Sequence, residues 1–379
     1  MSTVYLDHAA TTPTRPEVVE AMLPYMHEHF GNPSSIHSFG RRNRGALDDA
    51  RQVMATSIGA KPSEIVFTSG GTESDNTAII GAAYANREKG RHIITTSIEH
   101  HAVLHTCQYL EKQGFDVTYL PVDKTGKIEM TALHEALRED TTVVSVMYGN
   151  NEVGTIQPIA EIAELLKEKE IVFHTDAVQA YGLIDMNVKE LGVDLLSVSG
   201  HKINGPKGIG FLYVRDGVRI ESHQHGGEQE RKRRAGTENV PAIVGFAEAV
   251  RLSRATMGER RDQYETFRLK MLEGFAAEGV QYEVNGSESS HLPHVLNVYF
   301  PGCRAESLLV NLDLAGVAAS SGSACTAGSL EPSHVLSAMF QDSERTQSSV
   351  RFSFGYGNTI EEVEDAAAKT AAIVKRLAG

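Results

Sequence analysis

From about residue 62 to 214 the sequence repeats one pattern, a short β-branched apolar run followed by an amphipathic stretch with helical spacing. The runs are EIVFT (64–68), HIITT (92–96), DVTYL (116–120), TVVSVM (142–147), IVFHT (171–175), DLLSVS (194–199) and GIGFLYV (208–214). Between most of them lie segments such as 159–169, where Ile159, Ile162, Ala163 and Leu166 recur at helical spacing. Strands joined through crossover helices run parallel, and runs apolar on both faces need a helical layer on each side. The pattern therefore predicts an α/β fold with a mostly parallel, seven-stranded sheet. Ligands of such sheets bind at the carboxyl ends of the strands, so the residues that follow each run carry the functional expectation.

Beyond Pro241 the pattern changes. A long helical region precedes a strand, VLNVYF (295–300), then a helix from Arg304, a Gly/Ser-rich loop, a second strand, VRFSF (350–354), and a final helix over 361–377. This reads as a smaller α+β domain. With 379 residues there is room for two cores. The expected division is a large domain over 15–257 and a small one built from 1–14 and 258–379.

Composition excludes several classes. A net charge of -13 removes any broad attraction to nucleic acid or an anionic membrane, with RKRR at 231–234 the one basic patch. The absence of Trp and the sparse aromatics argue against a stacking surface. No apolar run approaches the roughly 18 residues of a membrane span. The opening MSTVYLDHAATTP lacks the basic and apolar regions of a signal peptide. Three cysteines, Cys107, Cys303 and Cys325, cannot build a disulfide framework, so a reducing cytoplasm is the expected location.

Five segments hold side chains suited to chemistry. After EIVFT comes Ser69-Gly70-Gly71-Thr72 and a helix expected to start near Glu73, with Thr72 as its cap. Glycines beside a helix N-terminus suit an anion, although the same turn serves a plain strand-to-helix connection. The spacing is neither GxGxxG nor a P-loop. Asp176 follows IVFHT, where a carboxylate faces the crevice or caps a helix. Ser199-Gly200-His201-Lys202 follows another run; a partly buried Lys202 is what a Schiff base requires, with Lys207 as its rival. Glu99-His100-His101 offers an imidazole that could stack or move a proton, and the pattern does not choose between His100 and His101. The small-residue run 320–329 holds Cys325, an accessible thiol on a loop. Cys107 is expected to be packed. Cys303, beside Arg304, is a weaker rival whose pKa the cation would lower. Arg351 could take a carboxylate in a bidentate contact. His223 and His225 lack a third ligand, so no metal site is expected.

Taken together, YLDHAATTP, FGNPSS, FTSGGTESDN, EHHAV, NNEVGTIQPI, HTDAVQA, SGHKINGPKGIG, RAGTEN, SSGSACTAGSLEPS and SVRFSFG closely resemble the cysteine desulfurases, in particular their long-loop housekeeping and nitrogenase-type branch. The resemblance spans nearly the whole chain. It implies the fold-type I architecture of pyridoxal 5'-phosphate (PLP) enzymes, a homodimer, and conversion of L-cysteine to L-alanine with the sulfur kept as a persulfide on Cys325. By the same resemblance Lys202 binds the cofactor covalently, His100 stacks on its ring, Asp176 pairs with the pyridinium and Gln179 contacts the phenolic oxygen. Gly71, Thr72, Ser199 and His201 hold the phosphate, joined by Thr237 from the partner subunit. Asn151 and Arg351, with Asn32, bind the substrate carboxylate. Cys325 could also ligate an iron–sulfur cluster transiently. The implied acceptor is a protein, either an iron–sulfur scaffold or a tRNA-thiolating enzyme. The competing expectations are a selenocysteine lyase or small aminotransferase on the same fold, and a non-enzymatic sulfur carrier.

Overall fold

The computed structural model describes residues 3–322, 332–340 and 343–378. All seven apolar runs of the alternating region form strands of one sheet. After a short β1 (Val4–Tyr5), these are β2 (Ile65–Thr68), β3 (His92–Thr96), β4 (Asp116–Leu120), β5 (Thr141–Ser145), β6 (Val172–Asp176), β7 (Leu195–Ser199) and β8 (Gly210–Val214). Their spatial order is β2-β8-β7-β6-β5-β3-β4. Only β8 runs against its neighbours, pairing antiparallel with both β2 and β7. The cause is local. The link from β7 to β8 spans residues 200–209 and contains one short 3₁₀ turn, Gly200–Lys202, so the chain doubles back instead of crossing over.

Successive residues of a strand point to opposite faces, and both faces are dry. Phe67, Ile94, Leu196 and Phe211 join one core with Leu47, Met54 and Phe246. Their neighbours Val66, Ile93, Leu195 and Leu212 join a second core under helices Gly71–Asn86 and His101–Lys112. Because the sheet is buried on both sides, its polar openings lie at the strand ends.

A third core lies apart from these. The strand β9 (Glu283–Asn285), β10 (Val295–Tyr299) and β12 (Ser349–Ser353) form an antiparallel sheet in the order β12-β10-β9. Helices Met257–Ala277, Ala305–Leu314 and Ile360–Ala378 supply Phe267, Phe275, Leu308 and Val363 to its core. The N-terminus belongs here too. β1 pairs in parallel with β11 (Val317–Ala318), and Val4 and Leu6 are buried in the same cluster. The chain therefore begins in the C-terminal layer and passes across the sheet's carboxyl edge before entering helix Pro16–His27.

Candidate active site

Four strand ends and the N-terminal crossing enclose a cavity of about 310 Å³. From β2 come Gly71 and Thr72, from β3 His100, from β6 Asp176, and from β7 Ser199 and Lys202; Ala9 and Ala10 close it from the N-terminal side. Asn151 reaches it from the turn after β5, and Arg351 from β12.

The helix after β2 begins at Gly71, two residues earlier than expected, and Gly70 rather than Thr72 occupies the cap position. Gly70 has φ 150°, which favours glycine, so the turn closes without a side-chain cap. A Cβ on Gly71 would sit 2.8 Å from Val178 Cγ2, so the turn lies against the residues after Asp176. Unpaired N–H groups of the first turn and the helix dipole then face the cavity. Glu73 is held away from it by Arg234, at 2.8 Å, and accepts from Ser69 N. His201 binds Thr11 Oγ1 through Nδ1 at 3.0 Å, and burial together with Lys202 lowers its pKa to about 4.

Asp176 ends β6. Its Oδ1 accepts from Val178 N at 2.8 Å, so its backbone enters a turn and not the helix anticipated after it. Burial raises its pKa to about 6, against the opposing pull of the Val178 bond and of Lys202. Beside it lies Asp75, which the sequence reading missed. Asp75 is four residues after Gly71, one helical turn further in, and that spacing was the available signal. It is completely buried, and Oδ1 has no hydrogen-bond partner. Burial and the neighbouring Asp176 push its pKa well up. Adjacent His174 is held neutral, at about 3, by burial, with Ser145 and Ser197 hydroxyls on its two nitrogens. Burial works against the charge on both carboxyls, and Asp176, with the Val178 N–H and Lys202 favouring its anion, is the one suited to a cation in the cavity.

Lys202 and Lys207 separate clearly. Lys202 Nζ donates to Ala9 O at 2.5 Å and Ala10 O at 2.8 Å inside the cavity. Lys207 is exposed and lines a different groove, beside Tyr356. The two histidines separate as well. His100 caps helix His101–Lys112, with Nδ1 accepting from Ala102 N at 3.1 Å. Burial, then Lys202, lowers its pKa to about 4, so it is neutral and its Nε2 carries the hydrogen. His101 does not line the cavity; its ring packs at a tilt against His334 and His105, at 4.6 Å and 5.0 Å between centroids.

Arg351 is 1% exposed, and its guanidinium is organised by Asp7 Oδ1 at 2.7 Å and Asn151 O at 2.9 Å. Asp7 is 344 residues away in sequence, which is why no local pattern marked it. Asn32 and Thr237 do not line the cavity within a single chain; both are exposed. Asn32 Oδ1 instead accepts from Ser34 N. Cys325 lies outside the described residues. Cys107 and Cys303 are buried, and burial raises both thiol pKa values. The lowering expected for Cys303 from Arg304 is therefore overturned: desolvation dominates. Among the described residues, no group of three or more His, Cys, Asp or Glu could hold a metal ion, and no helix is long and apolar enough to cross a membrane.

The donor set fits PLP. A glycine turn at a helix N-terminus suits its phosphate, a buried carboxylate suits its ring nitrogen, and a lysine amine lies in the same cavity beside a neutral imidazole.

Comparison with known proteins agrees. The family described as Aminotransferase class-V matches residues 4–365. "Putative cysteine desulfurase IscS 1" of Bacillus subtilis (strain 168) is 60% identical over 100% of both chains. "Cysteine desulfurase IscS" of Methanosarcina thermophila is 54% identical over 99% of this chain and 92% of the relative. A solved "NifS-like protein" superposes with TM-score 0.93 at 39% identity, over 99% of this chain and 100% of the other. A second, described as SspA in complex with cysteine, gives TM-score 0.81 at 38% identity, over 93% and 99%. The chain belongs to the class-V aminotransferase family and, within it, to the PLP-dependent cysteine desulfurases.

Proposed function

We propose that this protein converts L-cysteine to L-alanine and holds the sulfur as a persulfide on Cys325 for delivery to a protein acceptor. The observation that carries the reading is Lys202 Nζ, held in a cavity walled by the buried carboxylate of Asp176 and the neutral imidazole of His100.

Bound PLP supplies an electron sink for the charge that develops on the substrate carbons. The protein's own side chains do the rest. Gly71, Thr72, Ser199 and His201 take the phosphate. Asp176 keeps the ring nitrogen protonated, and Gln179 donates to the ring oxygen. Lys202 would anchor the cofactor, and its amine would move protons at the substrate carbons. Arg351, Asn151 and Asn32 take the substrate carboxylate. The Cys325 thiolate attacks the substrate sulfur, forming an S–S bond as the C–S bond breaks; the C–S electron pair stays on carbon, which gains a proton to give alanine. His100 Nε2 moves a proton at the substrate thiol or at Cys325.

The same reading holds that the protein is a cytoplasmic homodimer, that Thr237 of one chain serves the other's cofactor, and that the acceptor is an iron–sulfur scaffold or a tRNA-thiolating enzyme. It divides the chain into a large unit, 15–257, and a small unit, 1–14 with 258–379. Support for the dimer comes from an apolar surface on and after helix Pro16–His27, where Met26, Phe30 and Ile36 are 58%, 69% and 91% exposed.

The test is a pair of variants given cysteine and a thiol reductant. Cys325→Ser is expected to keep the cofactor's visible absorbance and lose alanine and sulfide release by roughly 10³-fold or more. Lys202→Ala is expected to lose the native absorbance as well. Mass spectrometry of wild type is expected to find one added sulfur on the Cys325 peptide. Full activity in Cys325→Ser sinks the nucleophile assignment, and a keto acid without sulfur release turns the reading to transamination.

A further inference from the structure

Gln179 is buried in the cavity wall with both ends of its amide engaged. Its Nε2 donates to Ala9 O at 2.9 Å, and its Oε1 meets His294 Nε2 at 3.2 Å. A carbonyl such as Ala9 O only accepts, so the nitrogen end of the amide must face it. The oxygen end then faces His294, which must present a hydrogen on Nε2. His294 Nδ1 is left as a bare acceptor, buried and without a hydrogen-bond partner. Burial, with His8, Lys202, Arg351 and Arg260 nearby, lowers the His294 pKa to about 3, so the imidazole stays neutral with that single tautomer. His294 is itself fixed. It immediately precedes β10, and its carbonyl accepts from Phe354 N at 2.9 Å.

Ala9 O is shared. It accepts from Gln179 Nε2 and also from Lys202 Nζ. The route from His294 through Gln179 to Ala9 and Lys202 thus joins the C-terminal sheet to the cofactor-binding lysine through two buried contacts and one part-buried contact.

We propose that His294 is a positioning residue: its Nε2 hydrogen bond locks the Gln179 amide so that the nitrogen end faces the cavity side, where it serves the cofactor's ring oxygen. This deepens the PLP reading above and rests on it. An amide nitrogen has two hydrogens; one goes to Ala9 O, and the second has no partner among the described residues. A donor at the ring oxygen stabilises it most when the proton shared with the Lys202 nitrogen has left. Loss of that donor therefore raises the pH at which the bound cofactor's visible absorbance changes. The titratable groups facing Lys202 across the cavity are Asp75, Asp176, His100, His201 and Arg351, and substitution at 294 alters none of them.

The experiment follows absorbance against pH, and PLP retention, in the PLP-loaded full chain. His294→Leu keeps the bulk and removes the donor; the expected result is a midpoint raised by about half a pH unit or more and PLP retention weakened several-fold. His294→Gln places a donor at the same reach and is expected to restore both. Gln179→Leu is expected to reproduce the shift, and the double variant to add nothing to it. If His294→Leu does not fold, His294→Asn, too short to reach Gln179 Oε1, gives the same readout. An unshifted midpoint with normal retention in the folded variant overturns the positioning role, as does full additivity in the double variant. A wild-type protein that takes up no PLP overturns the functional reading itself, which keeps the two failures distinct.

Discussion

Asp176 sits at the end of β6 with its carboxylate buried, and burial is what lifts its pKa to about 6. A carboxyl whose folded pKa is raised binds its proton more tightly in the folded state. Its favourable contribution is complete below the unfolded pKa, near 3.8, and is lost as pH rises through about 6. At pH 8 the cofactor-free protein therefore holds an anion it would be more stable without. Asp176→Asn is expected to raise the Tm of the cofactor-free protein at pH 8 by roughly 2–4 °C and to leave it unchanged near pH 4. The same variant is expected to lose PLP affinity, since an amide cannot keep the ring nitrogen protonated. Thermal melts with and without PLP check both halves, and equal melting at pH 8 removes the buried-anion account. The cysteines make a second residue-scale case. Cys107 and Cys303 are buried with raised pKa values, so native alkylation at pH 8 is expected to spare both, whereas the denatured chain takes three labels.

Elements were legible where the run was long enough to show its period. HIITT and DVTYL coincide with β3 and β4 residue for residue, and the other five runs agree within a residue or two at their ends. β1, β9 and β11 have two or three residues each, too few to show an alternation, and exist because the C-terminal layer supplies partners. The ends of runs also marked Asp176, Ser199 and Lys202, because a polar residue that stops a buried strand must face the crevice. Asp7 and His294 were not legible: their partners lie in other elements, and only the assembled layers bring them together, while Asp75 carried a single signal, its one-turn spacing from Gly71. Glycine chemistry divides in the same way. A Cβ on Gly210, in β8, would meet Val198 O at 2.4 Å and Gly70 Cα at 2.8 Å, both backbone. Gly210→Ala must therefore part β7 from β8 or shift the Gly70 turn beside the cavity, and is expected to lower both stability and PLP affinity. Gly45, exposed inside helix Ser38–Ser57, would meet nothing within 4 Å. Gly45→Ala is expected to stabilise by about 0.5–1 kcal/mol and leave PLP affinity alone. Denaturant melts of the two variants check the contrast.

At the scale of the whole molecule, two expected site residues remain outside the cavity of a single chain. Asn32 follows the exposed Phe30, whose ring meets Phe39 at 5.7 Å, and Thr237 is exposed on the segment after Arg234. A second copy seated on the surface of Met26, Phe30 and Ile36 would cover apolar area that is costly to leave in water, and would give Thr237 a cavity to serve. Ile36→Asp with Phe30→Asp places charge on that surface without touching a buried side chain. The expected result is a particle with the mass of one chain, folded by circular dichroism, with weakened PLP retention. Mixing supplies the decisive arm. If Thr237 serves the other chain's site in such a dimer, the Lys202→Ala and Thr237→Ala proteins each lack one contribution at both sites. In a mixed dimer, the site that keeps Lys202 receives Thr237 from the other chain and is whole, while the second site lacks both. Activity and PLP retention are therefore expected to rise on co-refolding the two variants above the average of the separate proteins. No gain, or a wild-type protein of one-chain mass with full PLP retention, means that Thr237 does not act across a subunit boundary.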